Sequence, residues 1–111
     1  MKSITVAFDV DGTLIGESPN HVNERIRTLL VILSSFKNVR IVVWSGGGAL
    51  YAKQVGAAIG IDAYVDQYAS KNHIGVVDGV HQFAPNIKPD IAIDDIQACE
   101  LGELNLIVRE K

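Results

Sequence analysis

The sequence is poor in sulfur, since Cys99 is the only cysteine and methionine occurs once in 111 residues. A single cysteine cannot form an intramolecular disulfide, and no cysteine cluster is available to bind zinc. The three histidines are scattered without the regular spacing of metal ligands. We therefore expect any metal site to use oxygen ligands, and the cysteine content suits a reducing compartment.

Long apolar runs are also missing. No stretch approaches the ~18 apolar residues that a membrane-spanning helix needs. The apolar run that begins at Ile4 is interrupted by Asp9 before it reaches signal-peptide length, and no small-residue cleavage site follows it. The sequence therefore predicts a cytoplasmic protein without a membrane partner.

Positive charge is scarce, with 10 lysines and arginines against 13 acidic residues and a formal net charge of -3. This balance disfavours nucleic acid as a partner, although a local basic patch would be compatible with it. The apolar share of 48% is enough for one core. The length predicts a single domain over residues 1–111.

Apolar periodicity predicts alternating strands and helices. Strands are predicted at 4–10, 39–44, 63–65, 91–93 and 104–108, helices at 19–33, 50–59 and 96–101, and a hairpin at 76–80 with Asp78-Gly79 as its turn. The first helix is expected to begin near Pro19, a residue that suits the first helical position. This order favours a three-layer, Rossmann-like α/β fold with a parallel sheet and helices on both faces.

Polar side chains follow three of the predicted strands. Asp9 and Asp11 end the first strand, Ser45 follows the second, and Asp94 and Asp95 follow the strand at 91–93. The carboxyl ends of parallel strands meet at one edge of the sheet, where ligands bind. If these strands are neighbours, up to four carboxylates converge there.

Such a carboxylate cluster needs a cation, because like charges close together repel. An oxygen-only ligand set favours Mg2+ over zinc. A carboxylate beside Mg2+ is a plausible nucleophile towards phosphorus. Each part also has an ordinary structural explanation: Asp11-Gly12 as a turn, Ser45 and its glycines as a loop, Asp94-Asp95 as a helix N-cap. The joint pattern favours a functional site.

The ordered motifs resemble those of the haloacid dehalogenase (HAD) superfamily of phosphohydrolases. Residues 9–14 (DVDGTL) match the first motif of that family, residues 44–46 (WSG) the second, and residues 93–95 (IDD) the fourth. The resemblance implies a HAD-like fold and a magnesium-dependent phosphatase acting on phosphoric monoesters.

The resemblance also implies a role for each acidic residue. Asp9 would attack phosphorus, form an aspartyl-phosphate and bind the metal. Asp11 would be the general acid and then the general base, with its backbone carbonyl on Mg2+. Asp94 would complete the metal site, and Asp95 would be a direct ligand or a partner of one.

Phosphate binding is implied for a second group of residues. Gly12 would allow the turn and Thr13 would support the geometry of that loop, while the Ser45 hydroxyl and the Gly46 amide would bind phosphate oxygens. The family also uses a lysine that neutralises the phosphate and the nucleophile, and two lysines are candidates for this role.

Geometry favours Lys71 over Lys88 as that lysine. Lys88 lies six positions before Asp94, so an extended strand of about 3.3 Å per residue would put Lys88 at the opposite edge of the sheet. Lys71 follows the predicted third strand, at the same edge as the other motifs. No clear helix follows Lys71, which departs from the usual family pattern.

Many relatives carry an inserted cap domain, and this chain has no room for one. Residues 15–38 are largely used by one helix, and residues 66–90 can hold a hairpin but not a domain. We therefore expect a capless enzyme with an open site, a phosphorylated small molecule as its substrate, and scope for a homo-oligomer in which a second subunit covers the site. The alternative is a non-catalytic or regulatory module of the same fold that binds metal or phosphate.

Overall fold

Two α-helices and seven strands make up the described part of the chain, which comprises residues 4–83, 87–95 and 101–108 of a computed structural model. The helices are α1 (Glu24–Ser34) and α2 (Ala49–Ala58). The strands are β1 (Ile4–Asp9), β2 (Val39–Ser45), β3 (Gln67–Ser70), β4 (His73–Val77), β5 (Val80–Phe83), β6 (Ile91–Asp94) and β7 (Leu104–Ile107).

Five of the strands form one parallel sheet in the order β3-β2-β1-β6-β7. The chain moves outwards from β1 through β2 to β3 and then crosses back to β6 on the other side of β1. Such a reversal of direction opens a crevice at the carboxyl ends of the central strands, where ligands bind in sheets of this kind. The predicted α/β, Rossmann-like parallel sheet is therefore confirmed.

The central strand is apolar on both faces because the sheet is covered on both sides. Val6, Phe8 and Val10 point to one face, Ala7 points to the other, and each is at most 1% exposed. Burying a side chain such as Phe8 contributes roughly 1.5–3 kcal/mol. This burial fixes the register of β1, whose Phe8 lies beside Val43 of β2 and Ile93 of β6.

Both described helices pack on the same face of the sheet. Leu30 of α1 and Val55 of α2 belong to one core with Phe8 and Ile41. The opposite face is lined by small residues and Trp44, against which Leu101 packs. The expected helices on both faces are thus not found among the described residues.

The direction of the crossovers explains this one-sided arrangement. Connections between parallel strands are right-handed, so two successive steps in one direction place their helices on the same face. The step from β3 back to β6 reverses the direction, and a right-handed path then runs over the opposite face. That connection contains a β-hairpin in its described part, where a three-layer fold would have a helix.

Helix α1 begins at Glu24, so the prediction that it starts near Pro19 is wrong. The Asn23 side chain caps the helix by accepting the Ile26 backbone N–H at 3.4 Å. Pro19 instead occupies the second position of a β-turn closed by the His21 N–H, which donates to the Ser18 carbonyl at 2.9 Å.

The third strand of the sheet is Gln67–Ser70, and the prediction of a strand at 63–65 is also wrong. Residues Asp62–Tyr64 form a short 3-10 turn. Asp66 accounts for the shift, because its backbone N–H donates to the Ile41 carbonyl and its carboxylate accepts the Ile41 N–H at 2.8 Å. The backbone bond from Asp66 thus joins the two segments, and residue-to-residue pairing with β2 begins at Gln67, opposite Val42.

Several other elements agree with their predictions. The β4–β5 hairpin turns at Asp78 and Gly79, whose φ angles of 50° and 79° match the type I′ turn expected for Asp-Gly. Gly60 follows α2 with a φ of 78°, the left-handed conformation of a glycine after a helix. The short helix predicted at 96–101 falls largely on residues 96–100, outside the described residues.

Neither described helix could cross a bilayer. The longer one, α1, has 11 residues, and no helix in the described ranges is both long and apolar enough to span a membrane. A helix needs about 20 apolar residues to span the hydrocarbon core.

Candidate active site

A buried lysine lies between two buried carboxylates at the carboxyl edge of the sheet. The Lys71 ammonium Nζ is 2.7 Å from Oδ1 of Asp9 and 2.8 Å from Oδ2 of Asp94. All three residues are at most 5% exposed. Lys71 reaches this position because it directly follows β3 and its backbone N–H donates to the Ser45 carbonyl at 2.8 Å. Lys88 is exposed and lies before β6, at the opposite end of that strand from Asp94.

Asp9 is held by the turn that follows β1. The Thr13 hydroxyl donates to Oδ2 of Asp9 at 3.3 Å, and Thr13 is fully buried. The turn closes through the Leu14 N–H, which donates to the Val10 carbonyl at 3.0 Å. Gly12 has a φ of 83°, and a Cβ atom at this position would collide with the Asp95 carboxylate. Gly12 thus allows both the turn and the close approach of Asp95.

Three carboxylates in this region could bind one metal ion. Asp9, Asp94 and Asp95 each offer an oxygen, and these oxygens lie within 4.8 Å of one another. Oδ1 of Asp94 also accepts the backbone N–H of Asp95 at 2.8 Å, which fixes the pair at the end of β6. A compact set of carboxylate oxygens fits a hard divalent cation such as Mg2+. Asp11, which was predicted to reach the metal through its backbone carbonyl, does not contribute its side chain to this group of three.

The cluster contains more negative than positive charge. Burial raises the pKa of Asp9 to about 7, although Lys71 pulls it down, and Asp94 raises it further. Burial and the neighbouring Asp94 also raise the pKa of Asp95. Burial alone would lower the pKa of Lys71, but its ion pairs with Asp9 and Asp94 outweigh that effect and raise it. The ammonium therefore stays charged, and among the described residues of the cluster it is one positive charge beside three carboxylates.

The loop between β2 and α2 faces these carboxylates. The Ser45 Oγ accepts the Gly47 N–H at 3.0 Å, and the Ser45 carbonyl accepts the Gly48 N–H at 3.1 Å. The Ser70 hydroxyl oxygen accepts the first N–H of α2, from Ala49, at 3.1 Å. These bonds fix a tight turn at the start of α2 and already engage the N–H groups of Gly47, Gly48 and Ala49. Among the described residues of this turn, the Gly46 N–H at the cavity is the donor left for an anion.

One cavity of about 310 Å³ joins these parts. It is lined by Asp9, Asp11, Ser45, Gly46, Gly47, Lys71 and Asp95. Most of the residues predicted for the site therefore meet in one place, while Gly12, Thr13 and Asp94 support it from outside the lining. Ser45 is 2% exposed, so only a small part of its side chain reaches the cavity.

Tyr51 is a residue of this region that the sequence analysis did not identify. Its hydroxyl donates to Oδ1 of Asp11 at 2.7 Å. This hydrogen bond is the main reason that the pKa of Tyr51 is raised to about 12, so the phenol stays protonated at neutral pH. The signal that could have revealed Tyr51 is its place in the first turn of a helix that begins beside the Ser45 loop.

A larger cavity of about 720 Å³ lies between the start of α1 and the strands β6 and β7. Its lining is largely apolar, with side chains such as Ile26, Leu29 and Leu106, and Glu24 is the one carboxylate among its described lining residues. It lacks the grouped carboxylates and the lysine, so the smaller cavity is the candidate active site.

Comparison with protein-family models, with curated proteins and with solved structures gave no significant match. The geometry of the site and the motifs in the sequence are therefore the basis for a functional interpretation.

Proposed function

We propose that this protein is a magnesium-dependent phosphatase of the HAD type that hydrolyses phosphoric monoesters through an aspartyl-phosphate on Asp9. The observation that carries the proposal is the buried Lys71, within 2.8 Å of both Asp9 and Asp94, in the same cavity wall as the Ser45 loop. A carboxylate nucleophile, a cation and a hydrogen-bond donor such as the Gly46 N–H are groups that phosphoryl transfer uses.

Asp9 is the proposed nucleophile. One of its oxygens bonds to phosphorus while the bond from phosphorus to the leaving oxygen breaks, and the electron pair of that bond goes to the leaving oxygen. Lys71 and Thr13, which donate to the two oxygens of Asp9, orient the carboxylate for this attack. Lys71 also offsets the negative charge of the incoming phosphate.

Asp11 is the proposed general acid and base. It gives a proton to the leaving oxygen in the first step. In the second step it takes a proton from the water that attacks phosphorus, and the bond from phosphorus to Asp9 breaks to release inorganic phosphate. Asp11 is exposed at the cavity, whereas Asp9 is 5% exposed. The exposure of Asp11 suits a group that exchanges protons with water, and the burial of Asp9 suits a nucleophile that is shielded from water.

Asp9, Asp94 and Asp95 would hold Mg2+, with the Asp11 backbone carbonyl as a further ligand implied by the family resemblance. When bound, the ion would offset the surplus negative charge of the cluster and neutralise a phosphate oxygen. The pKa of Asp9, raised by burial and by Asp94, supports a need for such a cation. An oxygen-only donor set favours Mg2+ over zinc.

The substrate we propose is a phosphorylated small molecule. Between β3 and β6 the described chain forms only a hairpin, which supports a site without a cap domain. An uncapped site leaves room for a second subunit to cover it.

Hydrolysis of p-nitrophenyl phosphate by the purified protein tests this function. We expect turnover that needs Mg2+ and stops with EDTA. Asp9→Asn should abolish it, and Asp11→Asn should lower kcat by about 10²–10⁴-fold because Asp11 no longer takes a proton from the attacking water in the second step. Asp78→Asn is the matched control, since Asp78 lies in an exposed hairpin turn where asparagine is also favoured.

Beryllium fluoride gives a second, independent test, because it forms an aspartyl-phosphate mimic on a nucleophilic carboxylate. A fluorine NMR signal is expected with the native protein and Mg2+, and not with Asp9→Asn. If the native protein neither hydrolyses the ester nor forms this adduct, the enzyme proposal fails. Binding of Mg2+ or phosphate without turnover would instead favour the regulatory module.

A further inference from the structure

Asp11, the proposed proton donor, lies exposed in the loop after β1. A general acid must present its proton in one direction, and an exposed side chain such as that of Asp11 would sample several staggered rotamers in water unless a contact held it. Within the described residues, one group donates a hydrogen bond to its carboxylate. That group is the hydroxyl of Tyr51, 2.7 Å from Oδ1.

We propose that Tyr51 is a positioning residue, which holds the Asp11 carboxylate in its working rotamer and leaves Oδ2 to carry the transferred proton. This inference rests on the proposed function. Tyr51 acts through Asp11 and not on the substrate, because it is not among the residues that line the 310 Å³ cavity. The Tyr51 hydroxyl can donate to Oδ1 of Asp11 both when Asp11 is ionised and when it is protonated on Oδ2. This hydrogen bond therefore persists through both chemical steps.

Tyr51 is placed for this role by its helix and by the loop before it. It lies in the first turn of α2, and its ring rests against Gly47. A Cβ atom at Gly47 would come within 3.1 Å of the ring carbon Cδ2. The absence of a side chain at Gly47 therefore makes room for the ring beside the phosphate-binding loop. The same loop thus sets the positions of the anion site and, through Tyr51, of the proton donor.

The leaving-group dependence of hydrolysis tests the proposal. Phenyl phosphate and p-nitrophenyl phosphate have similar shapes, but phenolate is the poorer leaving group and depends more on the proton from Asp11. Tyr51→Phe keeps the ring and removes the hydroxyl. We expect kcat/KM to fall about 10-fold for phenyl phosphate and to stay within about twofold for p-nitrophenyl phosphate. kcat/KM is the right quantity because it reports the first chemical step and not the later attack by water.

A matched control exists in Tyr68, whose hydroxyl also donates to an aspartate, Asp62, at 2.7 Å but outside the site. Tyr68→Phe should leave both kcat/KM values unchanged. An equal loss for both esters in Tyr51→Phe would indicate a structural or substrate-binding role and overturn the proposal. No loss for either ester would overturn it as well.

NMR of the metal-free protein tests the positioning without any turnover. Three-bond couplings from Cγ of Asp11 to its backbone nitrogen and carbonyl carbon report the χ1 rotamer. We expect one rotamer in the native protein and in Tyr68→Phe, and averaged couplings in Tyr51→Phe. Unchanged couplings would overturn the proposal. If the native protein hydrolyses neither ester, the proposed function fails, and these couplings still decide whether Tyr51 positions Asp11.

Discussion

Asp9 and Asp11 are two residues apart, but the fold gives them different surroundings. Asp9 is 5% exposed and accepts hydrogen bonds from Lys71 and Thr13. Asp11 is exposed and accepts one from Tyr51. Neighbouring carboxylates in unlike environments can divide the roles of nucleophile and proton carrier. Residues i and i+2 of a strand share a face, so strand alternation alone would give Asp9 and Asp11 similar surroundings. The turn after β1 is therefore what places the two carboxylates in different environments.

Loss of the Lys71 ammonium should destabilise the folded protein. A buried charge that loses its partner is strongly unfavourable, and Lys71 is the partner of two buried carboxylates. We expect Lys71→Met to lower the free energy of unfolding in EDTA by about 3–5 kcal/mol, as measured by urea denaturation.

Lys88→Met is the control for this experiment. Lys88 is exposed, and a surface substitution of this kind should change stability by less than about 0.5 kcal/mol. If Lys71→Met and Lys88→Met lowered the free energy of unfolding equally, the buried ion pairs would not be important for stability.

At the scale of single elements, strong local signals predicted the structure well. The type I′ turn at Asp78-Gly79 and the glycine after α2 were identified because few residues adopt a positive φ without strain. The start of α1 was placed wrongly because two nearby segments, one at Pro19 and one at Asn23, both carry residues found at helix starts. Proline also suits the second position of a β-turn, and the sequence does not say which use applies.

A substitution at the N-cap tests the corrected start of α1. Asn23→Ala removes the acceptor for the Ile26 N–H, and we expect a loss of about 1 kcal/mol in the free energy of unfolding. Asn20→Ala is the matched control, because Asn20 is exposed in the preceding turn and outside the helix. Circular dichroism during thermal unfolding would measure both. If Asn20→Ala lowers the free energy of unfolding more than Asn23→Ala does, the helix begins before Glu24.

The third strand shows a different limit of local patterns. The apolar residues near 63–65 suggested a strand, but residue-to-residue pairing with β2 begins only after Asp66, which is hydrogen-bonded to Ile41 through its backbone and side chain. Ile41 is 25 residues away in sequence. The register of a parallel strand depends on such distant partners, so a local pattern cannot set it.

On the scale of the whole molecule, the acidic cluster couples folding to pH. The folded pKa of Asp9 is about 7, raised from 3.8 chiefly by burial. Between these values the folded state binds more protons than the unfolded state, so the stability contributed by Asp9 falls as pH rises through this window. The contribution of Asp9 should therefore make the metal-free protein less stable at pH 8 than at pH 5.

Comparison with Asp9→Asn isolates this effect, because asparagine does not titrate. The quantity to compare is the free energy of unfolding of Asp9→Asn minus that of the native protein, measured by urea denaturation in EDTA. We expect this difference to increase by roughly 3 kcal/mol from pH 5 to pH 8. Mg2+ at pH 8 should reduce the difference, since a bound cation favours ionised carboxylates. A difference that stays flat or changes in the opposite direction would show that Asp9 titrates normally.

The sequence by itself determined the α/β class, the parallel sheet, and the edge at which Asp9, Ser45 and Asp94 meet, because strand periodicity and the polar residues after each strand are local features. Strand length alone also favoured Lys71 over Lys88 as the lysine of the site. The structure brings the Lys71 ammonium into contact with Asp9.

Only the tertiary structure decided three further points: that both described helices cover one face, that the third strand starts at Gln67, and that Tyr51 contacts Asp11. The reason is the same in each case. A crossover direction, a strand register and a contact between a helix and a loop depend on groups far apart in the chain, and a local pattern carries no information about their distance in space.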